Sequence, residues 1–99
     1  MMAFDIHGVT YIPNALIDDT SLCAEEKLVM MILISYYDPD VKLSVPSSYE
    51  ISEGVGLSET MTDVVLSRLQ NQGHIKINRS AGHPATYKIL NPKFQPREV

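Results

Sequence analysis

Cysteine is almost missing from this chain of 99 residues, since Cys23 is the only one. A single thiol cannot form an intramolecular disulfide. It cannot build a zinc site either, because His7, His74 and His83 are scattered without the spacing of metal ligands. We therefore expect a protein that works without a metal ion or any other cofactor.

Long apolar runs are missing as well. The longest spans residues 28 to 34, well short of the roughly 20 residues that a membrane-crossing helix needs. The start of the chain has no basic segment followed by an apolar one, as an export signal would have. We therefore expect a cytoplasmic protein that does not enter membranes.

Catalytic motifs are the third absence. The sequence contains no glycine-rich phosphate-binding loop, no cluster of metal ligands and no acid-base pair at catalytic spacing. No histidine lies close to Cys23 in sequence that could activate its thiol as a nucleophile. The sequence therefore predicts that the protein is not an enzyme.

What the chain does contain is a strong charge gradient. Residues 1–66 hold eleven acidic and two basic side chains, a balance of −9, whereas residues 67–99 hold six basic and one acidic, a balance of +5. The length and the hydrophobic fraction of 44% are those of one folded domain. Only the last third of that domain could face phosphates without repelling them.

The first strong helix signal covers residues 24 to 36. Glu25 and Glu26 lie in its first turn, where the helix dipole favours acids, and its centre is apolar on every face. We expect such a helix to be buried on all sides, or to place one face against a second subunit.

The segments that flank this helix have weaker signals. Before it, residues 4 to 12 favour a short strand, and residues 14 to 22 favour a turn or one loose helical turn. After it, residues 37 to 45 favour a loop.

A second, shorter helix should begin after Pro46. Ser47 is placed to cap it, with Glu50 in the first turn. Gly54 and Gly56 should then end it, because glycine favours the conformation that closes a helix.

The third helix and a hairpin complete the pattern. Ser58 should cap a helix over residues 59 to 71, which ends before Gly73. Two segments of alternating apolar residues follow, residues 74 to 79 and 85 to 90, separated by a turn that contains glycine and proline. They predict a β-hairpin.

The motifs within this order of elements resemble a known family. The segment PSSYEISEGVGLSETMTDVVLSRLQNQGHIKI closely resembles the helix-turn-helix domains of phage and plasmid replication proteins, and the preceding YIPNALIDDTSLCAEEKLVMMILISYYDPD is similar to the same part of DnaD-like replisome organisers. The resemblance is carried by a Pro-Ser that opens the second helix, a Gly-apolar-Ser turn, and a Leu followed four residues later by Gly: Pro46-Ser47, Gly56-Leu57-Ser58, and Leu69 with Gly73.

This resemblance covers residues 4 to 90 and implies an α+β fold of the winged helix-turn-helix type. Such a domain has a three-helix core and a C-terminal β-hairpin, the wing, here with an extra N-terminal strand. The domain would span residues 1–90, and residues 91–99 would form a tail or the start of a linker. One departure from the family is Cys23, which stands where a serine usually caps the first helix, so Glu26 must contribute more to that cap.

The third helix would present a polar face to DNA. Its core-facing side should comprise Thr62, Val65, Leu66 and Leu69. Glu59 and Asp63 on the outer side would repel phosphates, although a carboxylate can accept a hydrogen bond from the amino group of cytosine. The helix has no basic residue before Arg68. The residues of this helix and its cap that we predict at the interface are Ser58, Thr60, Asp63, Ser67 and Gln70.

The hairpin supplies the bases that the helix lacks. Lys76, Arg79, His83 and Lys88 lie on or beside it and could reach a minor groove or the flanking phosphates. The alternative is that they are ordinary solubilising charges on an edge hairpin. Ser47, at a helix N-terminus, could add a phosphate contact or serve only as a cap.

These features give two functional hypotheses. The first is a DNA-binding protein of a phage or mobile element that binds double-stranded DNA in replication initiation or transcription regulation. The alternative is a protein-interaction winged helix whose acidic third helix meets a host or replisome protein. In either case the apolar residues 28 to 34 predict a homodimer through the first helix.

Overall fold

The computed structural model describes residues 8 to 96, which form an α+β domain, as predicted. Four α-helices and a short 3-10 helix pack with an antiparallel sheet of four strands in the order β1-β2-β4-β3. No helix in this range is long and apolar enough to cross a membrane. The elements are α1 (Asn14–Ile17), α2 (Ala24–Ser35), β1 (Tyr37–Asp38), β2 (Leu43–Ser44), α3 (Ser48–Val55), α4 (Glu59–Asn71), β3 (Ile75–Ser80), β4 (His83–Ile89) and the 3-10 helix Pro92–Phe94.

Helix α2 has the predicted start and the predicted compensation for its cysteine cap. Glu26 Oε1 accepts a hydrogen bond of 2.8 Å from the backbone N–H of Cys23. This bond satisfies one of the N–H groups that the first helical turn leaves without a partner. The helix ends at Ser35, one residue earlier than predicted. The predicted helical turn before it is also present, as α1.

Of the two expectations for α2, burial on all sides within one chain is wrong, and a face placed against a second subunit stays a prediction. Val29, Met30, Leu33 and Ile34 are fully buried within the chain, but the side chain of Leu28 is 42% exposed. The core of this one chain therefore covers most of the apolar run that predicted a homodimer. The dimer stays a prediction, with less uncovered apolar surface to support it than the sequence implied.

Helix α3 has the predicted start, and of the two glycines predicted to end it only Gly56 does so. The hydroxyl of Ser47 accepts from the N–H of Glu50 at 3.1 Å, and Glu50 Oε1 accepts in return from the N–H of Ser47 at 2.9 Å. Gly56 ends the helix with a φ of 82°, but Gly54 lies inside it. A Cβ at Gly54 would lie 2.6 Å from Cδ1 of Ile32, so this glycine serves the close packing of α3 on α2.

Helix α4 confirms the predicted limits and the predicted inner face. The hydroxyl of Ser58 accepts from the N–H of Met61 at 3.2 Å. At the other end Gly73 has a φ of 82°, and the N–H of His74 donates to the carbonyl of Leu69 at 3.0 Å, as in a glycine-terminated helix. The side chains predicted to face the core are all buried: Thr62, Val65, Leu66 and Leu69.

The hairpin is tighter than predicted. Ser80 pairs directly with His83, so only two residues form the turn, and His83 belongs to β4 rather than to the turn. An irregularity in the register follows, between Asn78 and Ser80. Pro84 lies opposite this irregularity. A proline has no backbone N–H to donate to a regular ladder, so it is tolerated where the ladder is interrupted. The inner face of the hairpin packs on the helices through Ile75, Tyr87 and Ile89.

Residues 37 to 45 are not the simple loop that was predicted. They contain β1 and β2, which extend the hairpin into a four-stranded sheet through the pairing of Ser44 with Tyr87. The hydroxyl of Ser44 is buried and donates to the carbonyl of Leu33 at 2.6 Å. Strands of two residues carry too little alternation to be recognised in a sequence.

The two ends of the described range, residues 8 to 12 and 91 to 96, also differ from expectation. Of the strand predicted over residues 4 to 12, the first part lies outside the described residues, and in the rest only Thr10 makes a bridge. Residues 91 to 96, expected in a tail or linker, are packed: Phe94 is fully buried, 5.1 Å between ring centres from His74. The amide of Gln95 donates to the carbonyl of Ile89 at 2.8 Å. The folded unit therefore includes residues beyond 90.

Candidate nucleic-acid interface

The outer face of α4 is open to solvent and carries the polar residues that the sequence placed there. Thr60, Asp63 and Ser67 are exposed and line a shallow groove. Two apolar neighbours, which the sequence analysis did not single out, share this face. Met61 is 44% and Val64 is 45% exposed, so the surface mixes acids, hydroxyls and apolar groups.

Two predicted contacts are occupied by helix capping. The hydroxyl oxygens of Ser47 and Ser58 each accept from the backbone of the helix that follows. Both residues remain exposed. Their hydroxyls therefore stabilise the helix starts, and any further contact with a phosphate would have to use the hydroxyl hydrogen.

The side chains of Gln70 and Arg68 contact other elements of the fold. The side-chain oxygen of Gln70 accepts from the N–H of Ile77 at 2.8 Å, which ties β3 to α4 and leaves the NH2 group of the predicted base-reading amide available. Arg68 lies 3.8 Å from Glu25 of α2. The partners of these two side chains, Ile77 and Glu25, come close only when the chain folds, so the spacing of residues in the sequence could not indicate them.

The outer face of the hairpin holds a pair of lysines. Lys76 of β3 and Lys88 of β4 are direct cross-strand partners, and the next pair on the same face is Asn78 with Thr86. Both lysines are exposed. Like charges directly opposite each other destabilise a sheet, and among residues 8–96 neither lysine has an ion pair to offset this. The sequence predicted both residues but not that they face each other.

The end of the hairpin carries the other two predicted bases. Arg79 and His83 line a small depression together with Ser80, Pro84 and Thr86. The structure thus brings all four predicted basic groups of the hairpin onto one projecting element. No acidic residue lies in the sequence between Asp63 and Glu98, so the hairpin has no acid of its own.

Acids dominate the opposite side of the interface, at the turn between α3 and α4. The phenol of Tyr49 donates to Glu53 Oε1 at 2.8 Å. This hydrogen bond and the nearby charge of Glu59 raise the pKa of Tyr49 above its ordinary value, because both favour the neutral phenol. Glu53 therefore belongs to this acidic surface, although the sequence analysis did not name it.

The basic and acidic regions approach each other at Tyr87. Burial raises the pKa of its hydroxyl, which hydrogen-bonds with Ser48 at the start of α3. Arg79 lowers that pKa and Asp63 raises it, so one charge from the hairpin and one from α4 lie within electrostatic reach of the same group. Tyr87 therefore connects β4 to the helices where the two charged regions meet.

Glu26 connects α2 to the end of α4. Its carboxylate is nearly buried and also accepts from the side-chain amide of Gln72 at 3.3 Å. Burial alone would raise its pKa, but hydrogen bonds from Cys23, the charge of Arg68 and the Gln72 amide together lower the pKa below its ordinary value. The ionised carboxylate is therefore part of the folded structure.

Metal-binding geometry is not found in the described range: no three His, Cys, Asp or Glu side chains from residues 8 to 96 gather as ligands. Cys23 is exposed at the start of α2. No protein-family model matches the chain, and no curated protein and no solved structure matches it either. Functional assignment therefore depends on the geometry of this surface and on the family resemblance of the motifs.

Proposed function

We propose that the chain is a winged-helix DNA-binding protein. The order of α2, α3, α4 and the β3-β4 hairpin supports this assignment, because the family resemblance implies a three-helix core followed by a C-terminal β-hairpin. In this assignment α4 is the recognition helix and the hairpin is the wing. The family resemblance supports a role in replication initiation or transcription regulation of a phage or mobile element, in the cytoplasm.

The observation that carries the proposal is the opposed lysine pair on the wing. Lys76 and Lys88 hold two positive charges side by side at a direct cross-strand position. A phosphate between them would replace their mutual repulsion with two charge-assisted hydrogen bonds. Arg79 and His83 extend the same positive surface toward the end of the wing, where a further phosphate or a minor groove would lie.

Helix α4 would contribute position and limited sequence preference. The hydroxyls of Thr60 and Ser67 can bond to base edges, and the carboxylate of Asp63 can accept from a cytosine amino group. The side-chain oxygen of Gln70 accepts from the N–H of Ile77, so only its NH2 group is available to contact a base. Because the helix carries no unpaired arginine or lysine, we propose that most of the binding free energy comes from phosphate contacts by the wing.

A second candidate function is a protein-interaction winged helix. It is favoured by Met61 and Val64, which expose apolar surface beside Glu59 and Asp63 on α4. An apolar centre with a charged rim is typical of protein interfaces. In that case a host or replisome protein with a basic surface would bind α4, and the wing lysines would contribute little.

A titration of the protein with labelled random duplex DNA separates the two functions. Fluorescence anisotropy at several salt concentrations should give an association constant for each. The logarithm of this constant should fall linearly with the logarithm of salt concentration, because the release of counterions drives phosphate binding. A slope of about −3 would correspond to contacts by Lys76, Arg79 and Lys88. Absence of salt-sensitive binding to any duplex would contradict the proposal and favour the protein-interaction function.

A further inference from the structure

We propose that, without DNA, the outer face of α4 binds the wing of a second copy of this chain. The outer face is defined by Glu59, Thr60, Asp63, Val64 and Ser67, and its partner is the lysine pair of the wing, Lys76 with Lys88. This contact is separate from the predicted homodimer through α2. It goes beyond DNA binding because it assigns an occupant to α4 in the free protein.

The outer face of α4 is a helix face that no other element of the described chain covers. Its groove is lined by residues of α4 alone, with Val64 exposed near its centre. Arg68 lines the same groove, but its guanidinium also lies 3.8 Å from the carboxylate of Glu25, so its positive charge is shared with that acid. The face is therefore both apolar and negatively charged, and a complementary partner needs positive charge on an apolar stem, such as lysine.

The wing of another copy has the required chemistry. It presents two adjacent lysines on one flat face, and no acid of its own is available to pair with them, because the sequence has none between Asp63 and Glu98. Placing Lys76 and Lys88 against Glu59 and Asp63 would neutralise four exposed charges in two pairs. It would also lay a lysine stem over Val64, which lines the groove beside Asp63.

The symmetry of this contact determines the type of assembly. Two different surfaces meet, so the contact is heterologous, and in each pair one copy keeps a free wing and the other keeps a free face. Association therefore adds copies head to tail instead of stopping at a symmetric dimer. Because DNA would occupy the same lysines, DNA and a second copy compete for the wing, and added duplex should dissociate the assembly.

Sedimentation velocity on the DNA-free full chain tests the inference. At a protein concentration on the order of 0.2 mM, suited to a weak contact, the weight-average size should exceed that of a monomer at about 0.02 M salt. It should return to that of a monomer at about 0.5 M salt, where the screening length is only about 4 Å. A monomer at both salt concentrations would overturn the proposal.

Two double variants identify the surfaces. Glu59→Ala with Asp63→Ala removes the acids of the face, and Lys76→Ala with Lys88→Ala removes the bases of the wing. Each variant alone should self-associate at least about tenfold more weakly than the wild type, since it loses two cross-interface pairs. A mixture of the two should form dimers only, because one keeps a functional wing and the other a functional face.

The controls are Asp18→Ala and Lys93→Ala, which remove one charge of each sign from exposed positions on other elements, and they should associate like the wild type. All six substituted side chains are exposed, and unchanged thermal melts would show that each variant is folded. A salt-insensitive dimer that both double variants retain would overturn the inference and indicate the α2 interface. Association that each double variant retains undiminished would overturn it as well.

Discussion

In the proposed winged helix, the helix-turn-helix unit is α3 with α4 and the wing is β3 with β4. The two regions contribute to the same hydrophobic core but carry opposite charge. The unit buries Ile51, Val65 and Leu69, and the wing buries Ile75 and Tyr87. All charged side chains of the unit are acidic apart from Arg68, and all charged side chains of the wing are basic. The core contacts that define the fold do not require this segregation of charge. It is therefore the feature of the surface that most needs a functional explanation.

The two regions also differ in how their backbones meet solvent. The unit satisfies its backbone groups inside its helices, with caps at Ser47 and Ser58. In the wing, β3 is the edge strand of the sheet. Lysine and arginine on an edge strand also prevent its pairing with the sheets of other molecules. This protection of the edge is an alternative explanation for the basic residues of the wing that requires no ligand. Substitutions in the core and at the charged residues can show whether the bases of the wing bind a ligand or only protect the edge strand.

The largest effect should come from the core that both regions share. Leu69→Ala on the inner face of α4 should lower the free energy of unfolding by about 2–5 kcal/mol, because a fully buried leucine leaves a cavity. Ser67→Ala, two residues earlier on the outer face, should change it by less than about 0.5 kcal/mol. Urea denaturation measures both. Similar values for the two variants would mean that the faces of α4 are wrongly assigned.

The acids of the unit should oppose DNA binding. Glu59→Ala with Asp63→Ala should strengthen binding to random duplex by about tenfold at low salt, because two carboxylates that repel the backbone are removed. Asp18→Ala serves as the control and should have a smaller effect. The measurement is a duplex titration at fixed salt. If the double variant instead loses affinity, the acids contact the DNA bases directly or order the interface.

Glu26, which joins α2 to the end of α4, should make stability depend on pH. Its pKa is lowered in the folded state, so its contribution is present above the unfolded pKa and is lost as pH falls through the folded pKa. Relative to Glu26→Gln, the wild type should be more stable by about 1–2 kcal/mol at neutral pH. This advantage should shrink as pH falls below the ordinary glutamate pKa of about 4.3 and should disappear below the lowered folded pKa. Urea melts of both proteins across this range would test it, and a constant difference would contradict it.

The smallest effect concerns the bond that ties the wing to α4. Gln70→Ala should lower the free energy of unfolding by about 1 kcal/mol, because the N–H of Ile77 loses its acceptor. Hydrogen exchange at the Ile77 amide should accelerate, while preference among DNA sequences stays unchanged. Thr60→Ala, the matched control on the outer face, should leave that exchange rate alone. A changed sequence preference in Gln70→Ala would restore Gln70 as a base-reading residue.

The sequence predicted those parts of the fold that local chemistry determines. The limits of α4 followed from Ser58 and Gly73, and its buried face followed from the spacing of Val65 and Leu69. Short-range signals failed where pairing is non-local. The strands β1 and β2 are only two residues each, and Phe94 in the predicted tail is buried by elements distant in sequence.

The candidate site shows the same division. The four wing bases could be predicted because charge is visible in the sequence. Their arrangement could not, since the pairing of Lys76 with Lys88 depends on hairpin register. The bond between the Gln70 oxygen and Ile77 could not be predicted either, because it depends on where β3 packs. Gly54 illustrates a third case, because its role is to let Ile32 approach α3 and not to end the helix.

The measurement that tests the central claim most directly is the salt dependence of duplex binding by the wild type, by Lys76→Ala with Lys88→Ala, and by Lys93→Ala. If the wing binds phosphates, the double variant should bind every duplex more weakly, and its slope against the logarithm of salt should be flatter by about two, one for each lysine. Lys93→Ala should keep the wild-type slope. Equal slopes for the wild type and the double variant would contradict the account, because the lysine pair would then contact no phosphate.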